Sequence, residues 1–198
     1  MVGLLNLPNQ ITVARLGLTA IFIVAASVGG FVGYLVALLA FVLATVSDWL
    51  DGYLARKMSL VTSLGKLLDP LADKILVSSA FVFFTAMKLC PVWVTAVIIG
   101  REFLVTGLRQ IAIEKGVVMA ADRLGKWKTT FQLAYGITAL IWLMFEKVDD
   151  HGGAAFSWLH RIAMPDGILF SLFLWGALAL TVLSGLNYVS KARALLRD

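Results

Sequence analysis

Apolar stretches of about twenty residues, each long enough for one bilayer crossing, follow one another along this chain with short polar breaks between them. In lipid a backbone satisfies its own hydrogen bonds only as a helix or a closed barrel, and apolar runs of this length select helices. Of the 198 residues, 60% are hydrophobic and only 15% charged, with a mean hydropathy of +0.90. That balance excludes a soluble globular enzyme, a disordered chain and a nucleic-acid-binding module with a basic face, so no nucleic-acid partner is expected. The length predicts one domain over 1–198 with about six crossings. Cys90 is the one cysteine, so no internal disulfide is possible. The first ten residues lack the basic start of a cleavable signal, and none is expected.

The pattern predicts an all-α integral membrane protein of six transmembrane helices, at about 8–28, 31–55, 65–89, 91–114, 124–145 and 166–189. The first begins with Asn9, Gln10, Thr12 and Arg15, an amphipathic start expected at the membrane interface. Gly29 and Gly30 close it, and Pro91 opens the fourth helix as a first-turn proline. A polar loop is expected over 56–64. The longest connection, 146–165, carries His151 and His160, which have no metal-ligand spacing around them and are expected to be solvated. With six crossings, twelve Lys and Arg fall on the side of the termini, and only Lys88, Lys147 and Arg161 on the other. Arg101 and Arg109 fall inside the fourth helix. This bias predicts cytoplasmic termini.

Charged side chains inside membrane helices are costly, so those that occur mark function. The second helix carries Asp48 and Asp51, and the third Asp69 and Asp73. On a helical wheel Asp51, Gly52, Ala55 and Arg56 fall within about 80° of Asp48, and Gly65, Asp69 and Asp73 within about 80° of one another. Both pairs sit at the same end of antiparallel neighbours, so the two faces can meet. Four converging carboxylates repel unless cations neutralise them. An all-oxygen set favours Mg²⁺ or Mn²⁺ over Zn²⁺. Gly52 and Ala55 leave room for a polar ligand to approach the helix backbone. Intramembrane acids also mark cation pathways, but a transporter would place them near the midplane with repeated or broken helices, and neither feature is evident.

The stretch Asp48-Trp49-Leu50-Asp51-Gly52-Tyr53-Leu54-Ala55-Arg56, then eight residues to Gly65, three to Asp69 and three to Asp73, resembles the signature of the CDP-alcohol phosphotransferase family at all eight fixed positions. The resemblance implies that family's six-helix membrane fold, with two divalent cations held by Asp48, Asp51, Asp69 and Asp73. It implies a CDP-activated lipid bound near Gly52, Ala55, Arg56 and Gly65, and Asp73 as general base. Arg56 either faces the diphosphate or pairs with an aspartate. The implied reaction moves a phosphatidyl-type group from the CDP-lipid to an alcohol and releases CMP. A homodimer is also implied.

Three more stretches bear on the alcohol: Asn6 to Arg15, Gly100-Arg101-Glu102-Phe103-Leu104-Val105-Thr106-Gly107-Leu108-Arg109, and Gly125-Lys126-Trp127-Lys128-Thr129-Thr130-Phe131-Gln132. With the Asp69 to Lys74 run, they resemble the bacterial branch of the family that uses CDP-diacylglycerol and glycerol 3-phosphate, in the cytoplasmic membrane with its active site on the cytoplasmic face. The branch that makes phosphatidylinositol phosphate is the alternative. The residues read alone also favour an anionic acceptor. Arg101, Glu102, Thr106 and Arg109 form one polar stripe, within about 140° of arc, on an otherwise apolar helix. Glu102 can neutralise one arginine, which leaves the other for a phosphate. The competing reading is an Arg–Glu pair that only locks the helix. Lys126 joins the acceptor-phosphate set. Lys126 and Lys128 lie about 160° apart on a helix, so only one is expected to face a given cavity, and either is otherwise an interfacial cation. The last sixty-odd residues offer no further candidate.

Overall fold

The computed structural model describes residues 7–58, 63–117, 119, 122–146, 158 and 160–195, with the side chains of all of these but 7–9, 48–58, 63–70, 73 and 194–195. The described residues form helices and turns, with no strand among them. Six long helices follow in order: α1 (Leu7–Val28), α2 (Gly30–Met58), α3 (Ser63–Ala86), α4 (Val92–Glu114), α5 (Arg123–Glu146) and α6 (Ile168–Leu195). Pro91 caps α4 from outside at φ −60°, ψ 140° rather than sitting in its first turn. Two helices outrun their apolar stretches. α2 carries Arg56 and Lys57 into its last turn, and α6 carries the basic tail of Lys191 and Arg193. Polar and basic residues extend a helix readily once the apolar run has set it, and basic ones favour its C-terminal end. In the outer connection His151 lies outside the described residues. His160 is half-buried in a helical turn at 160–162 rather than solvated.

α1 packs along α2 and also meets α3, α5 lies between α2 and α6, and α4 packs on α6. The link between α1 and α2 is a single residue. Gly29 and Gly30, at φ +71° and +72°, turn the chain there in a conformation that L side chains resist. An aromatic core fills the centre. Phe22, Phe41, Phe81, Phe84 and Tyr135 are at most 2% exposed, and Phe81 stacks on Tyr135 at 5.5 Å. The Tyr135 hydroxyl donates to the Leu89 carbonyl at 2.9 Å and ties α5 to the turn after α3.

The outer surface is apolar, as at Val24, Val32, Leu186 and Ile168. Polar groups go inward: Thr12, Arg15, Thr19, Lys128, Gln132, Thr181 and Ser184 are buried. The amphipathic start of α1 therefore turns Thr12 and Arg15 into the protein, with Val13 outside. This inversion suits a hydrocarbon solvent, in which the protein interior is where polar side chains find partners. Among the described residues, three segments are long and apolar enough to cross a membrane: Gln10–Val28, Gly30–Ser47 and Ile168–Arg193. α3 adds a shorter apolar segment, Lys74–Ala86.

Candidate functional site

α2 is helical without a break through 48–58, and α3 through 63–73. Asp48 and Asp51 are thus spaced i, i+3 on one helix, and Asp69 and Asp73 i, i+4 on another. Both spacings put residues on a common helical face. The side chains of Asp48, Asp51, Gly52, Ala55, Arg56, Gly65, Asp69 and Asp73 lie outside the described residues. Among the described residues no three or more His, Cys, Asp or Glu are grouped so that they could hold a metal ion.

Lys74, next in sequence to Asp73, lines a cavity of about 250 Å³. Its walls are Arg101, Glu102, Val105, Thr106 and Arg109 of α4, Gly125, Lys126, Lys128 and Thr129 of α5, Asp122 just before α5, and Tyr188 of α6. The polar stripe of α4 and all three predicted acceptor-binding residues, Arg101, Arg109 and Lys126, thus share one space. The expectation that only one of Lys126 and Lys128 faces a given cavity is not met: both line it. The space wraps the first turns of α5, and a lysyl stem spans several ångströms, so the wheel angle between backbones does not decide where the ammonium groups go. The two lysines differ in exposure. Lys128 is buried and Lys126 is exposed.

Arg101 donates to Glu102 Oε1 at 3.3 Å and to Ser184 Oγ at 2.9 Å. Lys128 Nζ donates to the same Glu102 oxygen. Arg109 turns elsewhere: it donates to the Tyr188 hydroxyl at 2.8 Å. Both guanidinium groups lie over the Tyr188 ring, with Cζ 5.7 Å from its centroid for Arg101 and 5.2 Å for Arg109. Two cations a full two turns apart on α4 thereby converge on one aromatic ring. Gly185 makes room for the first of them, since a Cβ there would stand 3.2 Å from Arg101 Cγ.

The Tyr188 hydroxyl also accepts the Asp122 amide at 3.2 Å. Asn187 donates to Asp122 Oδ2 at 2.5 Å, which holds that carboxyl below the usual aspartate range against the opposing effect of desolvation. The amides of Leu124 and Arg123, which open α5, help in the same direction. The end of α6 thus clamps the entry to α5 over the cavity.

Ser184, Asn187 and Tyr188 are functional candidates that the sequence reading missed. The available signal was their i, i+3, i+4 spacing, a polar patch on a helix that is otherwise apolar for several turns. Lys74, Lys128 and Asp122 complete the set. The cavity has five basic side chains against two acidic ones, Glu102 and Asp122. An enclosure with that excess, arginine forks and little apolar wall suits a small phosphorylated molecule. A larger cavity of about 450 Å³ lies between the α3–α4 turn and the start of α6, but Lys88 is its one charged wall residue among those described. It offers no comparable recognition of a polar ligand.

A profile of the CDP-alcohol phosphatidyltransferase family matches residues 5–183. The chain is 42% identical over 200 residues to the CDP-diacylglycerol–glycerol-3-phosphate 3-phosphatidyltransferase of Bacillus subtilis, covering 94% of each protein. It is 34% identical over 183 residues to the protein of the same name from Rickettsia felis, covering 92% of this chain and 93% of that one. A probable phosphatidylglycerophosphate synthase of Mycobacterium tuberculosis is 33% identical over 197 residues, covering 98% of this chain and 83% of the relative. The profile and these near full-length similarities agree with the Asp48 to Asp73 pattern, and the chain belongs to the CDP-alcohol phosphatidyltransferase family.

Proposed function

We propose that this chain transfers the phosphatidyl group of CDP-diacylglycerol to glycerol 3-phosphate, giving phosphatidylglycerophosphate and CMP. The observation that carries the acceptor assignment is the basic cavity of Arg101, Arg109 and Lys126, which opens beside Lys74 and hence beside the position of Asp73. The names of the similar proteins support the same acceptor. In the proposal, Arg101, Arg109 and Lys126 hold the acceptor phosphate. Gly52, Ala55, Arg56 and Gly65 line the CDP-lipid site. Asp73 takes the proton as the acceptor hydroxyl oxygen attacks the phosphatidyl phosphorus, and the bond to the CMP oxygen breaks.

Asp48, Asp51, Asp69 and Asp73 would hold two divalent cations, Mg²⁺ or Mn²⁺. The donor set fits: four carboxylates, all oxygen, on two unbroken helices at spacings that share a face. Such cations, when bound, neutralise diphosphate oxygens and stabilise the departing phosphate. The protein's own part is to hold the two substrates in line and to place the base.

The proposal includes a single catalytic domain over 1–198 and six crossings of a bacterial cytoplasmic membrane, with both termini and the active site on the cytoplasmic side. α3, α4 and α5 are less apolar than the other three helices because α3 carries Asp69, Asp73 and Lys74, and α4 and α5 carry most of the basic cavity. The homodimer implied by the family resemblance is also part of it, and cross-linking in membranes tests that. The central experiment is mass-spectrometric product identification with purified protein, CDP-diacylglycerol and a panel of acceptors: glycerol 3-phosphate, inositol phosphate, glycerol, inositol and serine. Phosphatidylglycerophosphate should be the main product. A preference for inositol phosphate would replace the acceptor assignment, and no CMP release with any acceptor would end the enzymatic reading.

A further inference from the structure

Glu102 stands where an anion is least expected, in the wall of a cavity proposed to bind one. Its side chain is only 12% exposed, and it receives two cations, the largely covered Arg101 at 11% and the buried Lys128 at 5%. One carboxylate between two cations leaves that cluster at a net charge of plus one. Arg101 is held from two sides, by Glu102 on its own helix and by Ser184 of α6 at 2.9 Å. Lys128 anchors the carboxylate from α5. The arrangement spans three helices and fixes a long, otherwise mobile side chain beside the cavity.

We propose that Glu102 is a positioning residue for the acceptor: it braces Arg101 between α4, α5 and α6, so that the guanidinium is already in place when the acceptor phosphate arrives. The idea rests on the acceptor reading above. Its physical basis is preorganisation. An arginine left free would have to be ordered on binding, at a cost in side-chain freedom that the brace meets during folding. Net charge alone makes the opposite forecast. Deleting the Glu102 charge makes the cavity more positive and should draw a dianion more strongly.

The test compares Glu102→Gln with the double variant Glu102→Gln, Lys128→Gln, which removes the brace but keeps the cluster at plus one. Steady-state kinetics with both substrates are measured alongside Tm in detergent. Binding of inorganic phosphate by calorimetry is a readout independent of turnover. The expected result is an acceptor KM raised about tenfold in both variants, with weaker phosphate binding, while kcat and the KM for CDP-diacylglycerol stay close to wild type. An acceptor KM that falls or holds in folded Glu102→Gln would overturn the proposal in favour of charge alone. If Glu102→Gln does not fold, the charge-matched double variant decides. If that variant is also unfolded, or loses affinity for both substrates together, Glu102 is a structural lock and the proposal fails. Wild-type protein that ignores glycerol 3-phosphate would sink the acceptor reading instead, and inorganic phosphate binding would still decide the role of Glu102.

Discussion

The two arginines of α4 set the sharpest expectations at the scale of single residues. Arg101→Gln or Arg109→Gln should raise the KM for glycerol 3-phosphate and leave CDP-diacylglycerol nearly untouched. A charge-assisted contact to phosphate is worth about 1.5–3 kcal/mol, so the loss should be about ten- to a hundredfold. Kinetics for each substrate check this, and an unchanged acceptor KM in a folded double variant would refute it. Asp48→Asn, Asp51→Asn, Asp69→Asn and Asp73→Asn should each remove most turnover, and excess chelator should do the same to the wild type. Full activity in chelator would end the cation assignment. Asp73→Asn should spare metal binding more than Asp69→Asn does, if Asp73 is chiefly the base. Equal loss in calorimetric titrations would remove that distinction. These residues were legible in the sequence because a charge in an apolar helix is conspicuous. Tyr188 and Ser184 were not, because a tyrosine or serine in such a helix is ordinary. Their role depends on which helix lies opposite, which no single stretch encodes. The sharing of the cavity by Lys126 and Lys128 was hidden for a related reason: periodicity fixes backbones, and long side chains reach around them.

At the scale of elements, the apolar runs located all six long helices, and the misjudged points lie at their ends. The membrane sets where an apolar run stops, but the helix stops where its backbone bonds stop, which is why α2 and α6 run on into basic residues. How helices approach one another was visible only as a scatter of glycines, and Gly33 gives that scatter a meaning. A Cβ there would lie 2.8 Å from the Ala25 carbonyl oxygen, a backbone atom of α1 that cannot rotate away. Gly33→Ala should therefore force α1 and α2 apart next to their one-residue link, at a cost of about 1–3 kcal/mol. The expected readout is a Tm several degrees lower in detergent. Surviving protein should keep the wild-type KM for both substrates, because the link lies at the far end of α2 from Asp48. Wild-type stability would mean that the helices are more loosely packed than this contact requires.

At the scale of the whole molecule, orientation and function draw on the same residues, and the two uses have to be separated before the charge bias can be read. Of the twelve basic residues on the side of the termini, Lys74, Lys126 and Lys128 line the basic cavity and Arg15 is 1% exposed inside the protein. The eight that remain still outnumber Lys88, Lys147 and Arg161, so the bias does not depend on the site. The direction matters chemically as well. With the termini in the cytoplasm, the Asp48 to Asp73 end of the molecule and the cavity beside Lys74 face the same compartment, so both substrates reach one place. The prediction is that a cysteine at Arg193 stays protected from a membrane-impermeant maleimide in intact cells and reacts after permeabilisation, while a cysteine at His151 reacts from outside. Cys90, buried in the turn between α3 and α4, is replaced by Ala first so that it cannot contribute signal. Labelling of the Arg193 position from outside would invert the topology. It would place the signature on the outer face, and the eight basic residues away from the cavity would then run against the usual cytoplasmic excess.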